Sequence, residues 1–202
     1  MKSTKKLLKT EWLDKWYPKI LLSTSAVALI ASFWQAAERI HMLKNPSVPL
    51  NCNLNPIIDC GGVMSHRLAA LFGFPNTFIG MVMFSMLLAS ALLLIFGGNF
   101  SKAYHKLVLA LSTIAILFSA WFFWVSLYII GKICLFCLAI WPVSVVLFWY
   151  GLLYWLSKQD KLSTKQQKFY NFGMKNHYMV VVYVFIVMFG LYIFNFRDYY
   201  FG

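Results

Sequence analysis

Residues 107–156 read LVLALSTIAILFSAWFFWVSLYIIGKICLFCLAIWPVSVVLFWYGLLYWL, two near-continuous apolar runs, Leu107 to Ile130 and Ile133 to Leu156, parted by Gly131-Lys132. As a helix rising about 1.5 Å per residue, each is long enough to cross a hydrocarbon layer of about 30 Å. Working outward, the same texture recurs at Ile20 to Ala37, Phe74 to Phe96 and Tyr178 to Phe196, so five spans are expected. A soluble fold would need amphipathic helices to cover such runs. A chain of 202 residues with 61% hydrophobic and only 12% charged residues has too few of them. The expectation is a single all-α polytopic membrane domain over residues 1–202, with no separate soluble module. The first run is the shortest and follows a Lys-rich segment, as a secretory signal would, with Ala26-Val27-Ala28 as a cleavage candidate. It stays apolar through Leu29, Ile30 and Phe33, which favours an uncleaved anchor.

Charge sets the orientation. Lys2, Lys5, Lys6, Lys9, Lys15, Lys19, Lys102, Lys106, Lys158, Lys161, Lys165, Lys168 and Lys175 fall on one side of the five runs. Arg39, Lys44, Arg67, Lys132 and Arg197 fall on the other. This predicts a cytoplasmic N-terminus (1–19), an outer loop with a short helix at 41–73, and an outer C-terminus. The net charge of +12 is spread over segments beside membrane ends, so topology and anionic lipid explain it better than nucleic acid does.

All four cysteines then gather outside, where disulfides persist: Cys52 and Cys60 between the first two runs, Cys134 and Cys137 at the start of the fourth. Two structural disulfides would account for the number alone. The spacing argues for more. In Gly131-Lys132-Ile133-Cys134-Leu135-Phe136-Cys137 a C-x-x-C opens a helix, where free backbone N–H groups favour a thiolate, and Lys132 adds a positive charge. A bridge closing so small a loop gives little entropic stabilisation. Cys52-Asn53-Leu54-Asn55-Pro56-Ile57-Ile58-Asp59-Cys60 reads as a mobile loop, and a mobile pair beside an anchored one can pass electrons by thiol–disulfide exchange. Zinc is the competing use of four cysteines, but the seven residues between Cys52 and Cys60 exceed the usual two to four. His105 and His177 lie at the far face, leaving only His41 and His66 near the thiols.

Gly61 to Gly73 reads as one short helix along the outer surface, too short to span, and Pro75 then starts the second span. Asn76 either caps that span or donates to a carbonyl ligand. Glu38 and Asp59 read as solvated interface residues rather than proton carriers.

In combination, Cys-x7-Cys, Gly61-Gly62-Val63 with its short helix, Phe74-Pro75-Asn76-Thr77-Phe78-Ile79-Gly80, and the C-x-x-C opening a helix resemble the vitamin K epoxide reductase family, from about Cys52 to Trp141. The resemblance implies a four-helix bundle around a quinone (menaquinone, ubiquinone or a vitamin K form), a lid formed by the short helix, and a fifth transmembrane helix. It makes Cys52 and Cys60 the shuttle pair, and Cys134 and Cys137 the redox centre beside the quinone. Asn76 would hydrogen-bond a quinone oxygen, with Trp141, Phe78 and Ile79 near the ring. The lid position where relatives carry a Ser falls on His66, with Ser65 one residue earlier, and both stay candidates. Many bacterial relatives carry a fused thioredoxin-like domain. This chain ends six residues past the fifth run, so a separate extracytoplasmic thioredoxin-like partner is expected.

The expected activity is a quinone-dependent thiol oxidoreductase of a bacterial cytoplasmic membrane. It would make disulfides in exported proteins by passing electrons from Cys52 and Cys60 through Cys134 and Cys137 to the quinone pool. The alternatives are a vitamin K epoxide or quinone reductase of an endomembrane, which would use the same residues, and a non-catalytic disulfide-stapled scaffold or transporter.

Overall fold

The computed structural model describes residues 2–98 and 100–201, with side chains from Glu11 onward. Helix α1 (Lys2–Lys44) is followed by a short α2 (Cys60–Ser65), a 3-10 turn (Arg67–Ala70), α3 (Asn76–Ile95) and α4 (Lys102–Val125). After a π-helical turn (Ser126–Ile130) come α5 (Leu135–Ser157), α6 (Thr164–Lys175), α7 (His177–Asn195) and α8 (Arg197–Phe201). Five of these helical stretches are long and apolar enough to cross a membrane, as expected.

The largest departure from the sequence reading is α1, which continues past Ala37 to Lys44. On the inward face near that end the polar residues are buried, with Ser32, Gln35 and Glu38 at 1%, 7% and 9% exposure, while His41 and Lys44 farther out are exposed. At three-residue spacing Ser32, Gln35 and Glu38 share the helix face turned into the bundle, so a polar stretch extends the span. Glu38 is therefore buried, not solvated.

Helices α1, α3, α4 and α5 form the bundle, with α1 packed on α3 and α5, and α4 on α5. Leu13, Tyr17, Leu21, Leu87, Leu147 and Leu153 make its lower core. Lipid tails are as apolar as these side chains, so close backbone approach and interhelical hydrogen bonds matter more than in water. A Cβ on Gly80 of α3 would stand 3.0 Å from Ser32 Oγ of α1, and Ser119 and Ser144 join α4 to α5 by an Oγ–Oγ hydrogen bond of 3.0 Å. Helix α7 buries no residue. It lies outside the bundle, held by Asn195 Nδ2 to the Leu127 carbonyl (3.0 Å) and by Tyr150 OH with His177 Nδ1 (2.9 Å).

At the lysine-rich end, Lys158 pairs with Asp14 at 2.6 Å and Lys102 pairs with Asp160. The stretch after α5 also holds a helix that the apolar pattern did not announce. Ser163 and Gln166 form a capping box that starts α6, whose Tyr170, Gly173 and Met174 are buried.

The opposite end carries the cysteines. The single lid helix expected over Gly61 to Gly73 is instead α2 and the 3-10 turn, broken at His66 (ψ 141°). There the His66 Nδ1 accepts the Leu68 N–H at 3.2 Å and starts the second turn. Pro75 precedes α3 as its N-cap rather than sitting in its first turn.

Candidate functional site

The π turn ends on Gly131, whose φ of +66° is left-handed and suits a residue without Cβ. That reversal brings Ile133 alongside the loop before α2, where Ile133 N–H donates to Ile57 (2.8 Å) and Asp59 N–H donates to Ile133 (3.0 Å). The two cysteine segments are thus hydrogen-bonded to each other just before Cys60 and Cys134.

Asp59 anchors the first segment. Its Oδ1 accepts the Gly62 N–H at 2.9 Å, capping α2, and its Oδ2 pairs with the Lys132 ammonium. Partial burial opposes the charge on Asp59, but the Lys132 and Gly62 contacts prevail and hold the carboxyl below its ordinary value. The pair crosses directly over Gly62, where a Cβ would lie 2.6 Å from Lys132 Cδ and 2.7 Å from Asp59 Oδ2. Two expectations change as a result. Asp59 is a structural clasp rather than a solvated residue, and Lys132 is neutralised by it instead of lending free charge to the thiols.

Cys52 and Cys60 are joined as a disulfide with Cα atoms 5.8 Å apart, while Cys134 and Cys137 are free thiols. Cys60 opens α2, and Cys134 caps α5 in extended conformation (φ −89°, ψ 132°) with Cys137 one turn inside. The Cys134 Sγ lies 3.5 Å from Cys60 Sγ. All four are buried, Cys52 included at 3% exposure. The loop expected to be mobile is tied down: Asn55 Oδ1 accepts the N–H groups of Ile57 (2.9 Å) and Ile58 (2.7 Å), and Leu54 N–H donates to Ile58.

Beneath the lid, the four bundle helices enclose a cavity of about 330 Å³, within the range of small-molecule sites. Its walls include Phe84, Phe118, Phe122, Ile140 and Trp141, its roof Met64, Ala69 and Phe72, and Cys137 opens onto it. Trp141 is fixed edge-on to Phe123, with centroids 4.7 Å apart.

The candidate contacts divide. Asn76, Ile79 and Trp141 line the cavity; Phe78, Ser65 and His66 do not. Phe78 is 39% exposed. The Ser65 hydroxyl donates to the Gly61 carbonyl at 2.7 Å, and His66 is spent on capping the 3-10 turn, so neither lid candidate reaches the cavity. Asn76 is committed to the lid backbone: Oδ1 accepts the Leu71 N–H at 3.0 Å and Nδ2 donates to the Leu68 carbonyl at 2.8 Å.

Five polar wall residues escaped the sequence reading as ligand contacts: Ser32, Gln35, Arg39, Thr77 and Ser119. Gln35 and Arg39 of α1 line the cavity, and the Arg39 Nη1 donates to the Met64 carbonyl of the lid at 2.5 Å. Thr77 lines it too, and its Oγ1 is buried without a hydrogen-bond partner among the described residues. Ser32, Gln35 and Arg39 follow one another at three- and four-residue steps, a polar stripe that marks an inward face of a span.

The site is thus a helical membrane bundle with a bridged cysteine pair, a free dithiol and an apolar cavity beside it. The sequence pattern of the vitamin K epoxide reductase family matches residues 19–152, and the chain belongs to that family. No curated protein matches the chain. Members of the family are oxidoreductases, and membership supports quinone-linked thiol chemistry at the family level. The cavity suits such a ligand: an aromatic-walled slot fits a flat ring, and the unpaired Thr77 hydroxyl is a donor for a ring oxygen.

Proposed function

We propose that the chain oxidises the dithiol of an extracytoplasmic thioredoxin-like partner and delivers the electrons to a membrane quinone, so that exported proteins acquire disulfides. The observation that carries this reading is the 3.5 Å approach of Cys134 to Cys60 while Cys60 is bridged to Cys52. The lysine asymmetry supports the orientation it needs, with the cysteines outside the cytoplasm.

The steps balance as exchanges. A partner thiolate attacks Cys52, and Cys60 leaves with the electron pair. The partner's second thiol then closes its own disulfide and frees Cys52. Next the Cys60 thiolate attacks Cys134 of a Cys134–Cys137 bridge, and Cys137 leaves as a thiolate. Cys52 then attacks Cys60, which restores the outer bridge and releases Cys134. Two electrons now rest on the inner pair, the same pattern of bonds that the structure holds. A quinone bound in the cavity supplies the two-electron acceptor that re-forms the inner bridge. Cys137 faces that space, Trp141 and Phe122 wall it, Thr77 offers a hydroxyl, and the lid excludes water. Partner access to buried Cys52 requires the Asn55 turn to open.

The test is solvent extraction of the purified chain, followed by assay of the extract for quinone. About one quinone per chain is expected. In addition, Cys134→Ala or Cys137→Ala should abolish dithiol-driven reduction of a short-tailed quinone while leaving an inserted, folded protein. Turnover surviving either substitution would remove the inner pair from the reaction, and a quinone-free extract from active membranes would count against the acceptor.

A further inference from the structure

Among the described residues, Gln35 is the polar side chain that meets both thiols of the inner pair. It is 7% exposed, and its Nε2 lies 3.6 Å from Cys134 Sγ and 3.9 Å from Cys137 Sγ. A carboxamide N–H2 has two hydrogens and no acceptor role, so from this position it favours whichever sulfur carries negative charge. Such a donor interacts more strongly with a thiolate than with a thiol. Burying a polar group of this size within a span is costly unless it is hydrogen-bonded, and its nitrogen donates to these two sulfurs.

We infer that Gln35 is a positioning residue that holds the negative charge on the inner pair: its amide stabilises Cys137 as that sulfur leaves in the first internal exchange and Cys134 as it leaves in the second. This rests on the relay reading. The demand on Gln35 is the same in each step, because each exchange breaks one sulfur–sulfur bond, forms another, and puts the displaced electron pair on a sulfur within reach of one nitrogen. Other charged groups are otherwise engaged or remote in role. The Arg39 guanidinium, one turn along α1, is given to the Met64 carbonyl, and Lys132 is paired with Asp59. Glu38 is buried on the same helix.

The inference is tested on the full chain, reduced and in detergent, by following alkylation of Cys134 and Cys137 with iodoacetamide against pH by mass spectrometry. Gln35→Met keeps length and volume but donates nothing, and should raise the midpoint for the more reactive thiol by about one pH unit. Gln35→Glu keeps the shape and replaces the donor by an anion, so its midpoint should rise at least as far. A purely packing role would leave the Met variant's midpoint where it is in the unsubstituted protein, and that result overturns the inference. If the Met variant fails to insert, Gln35→Leu, which also donates nothing and carries no charge, decides in its place. Because neither quinone nor partner is present, the outcome is separate from the relay reading, which stands or falls on quinone reduction by the unsubstituted chain.

Discussion

Cys134 Sγ approaches Cys60 Sγ to 3.5 Å although the two residues lie 74 positions apart in the chain. The approach is built by the Gly131 reversal, the two backbone hydrogen bonds around Ile133, and the Asp59–Lys132 clasp. The first two are backbone features that side-chain chemistry alone cannot replace, and the clasp is the ionisable one.

That clasp predicts a pH dependence. The folded-state pKa of Asp59 is lowered, so its contribution to stability is complete above the unfolded value of 3.8 and is lost as pH falls below it through the folded value. The thermal midpoint of the unsubstituted chain should therefore fall more steeply below about pH 4 than that of Asp59→Asn, which keeps a capping oxygen but cannot titrate. Parallel curves would show that the pair does not stabilise the fold.

Asn76 and Thr77 should separate by readout. Asn76→Ala leaves the Leu68 carbonyl and Leu71 N–H without their partner, and should destabilise the lid by about 1–3 kcal/mol with no quinone present. Thr77→Val removes a hydroxyl that has no partner among the described residues, so the melting temperature should hold or rise. The quinone concentration for half-maximal turnover should instead increase roughly tenfold. If Asn76→Ala melted normally and only lost quinone affinity, Asn76 would be the ring contact and Thr77 would not.

The five spans and the gathering of the thiols at one end could be read from apolar runs and cysteine positions, because lipid imposes a simple length rule. The polar end of α1 could not. Glu38 and Arg39 look like a helix leaving the membrane, and the packing of α1 against α3 and α5 turns Glu38 into the bundle and Arg39 to the cavity. Nor does a sequence reveal that Lys132 is neutralised by Asp59, or that Asn55 pins the loop holding Cys52. The first depends on contact between segments distant in the chain, whereas the second is a local turn, two and three residues long, that a reading of the loop as mobile passed over. Asn76 could be placed at the outer end of a span, but which groups its amide satisfies depends on the fold of the lid.

The orientation is testable directly. A cysteine introduced at Lys44 should react with a membrane-impermeant maleimide added from outside, and one at Lys165 should react only after the membrane is opened. The reverse pattern would put the redox cysteines on the cytoplasmic side and exclude exported proteins as substrates.

Partner exchange predicts a trapped species. Without Cys60 there is no outer bridge for a reduced partner to open; the Cys52 thiolate instead attacks the disulfide of an oxidised partner, one partner sulfur leaves as a thiolate, and with no Cys60 to expel the partner, Cys60→Ala should accumulate a covalent adduct with a thioredoxin-like protein on non-reducing gels. Cys52→Ala should show no such mass shift. An adduct with Cys52→Ala and none with Cys60→Ala would exchange the two roles.

The central claim is direct sulfur-to-sulfur exchange between Cys60 and Cys134, and the most direct measurement is peptide mapping of the Cys52→Ala/Cys137→Ala chain after mild oxidation with diamide. Only Cys60 and Cys134 remain, so the account predicts one intramolecular disulfide linking the peptides that contain them, in high yield and independent of protein concentration. Free thiols at both positions, or linkage only between separate molecules, would contradict it.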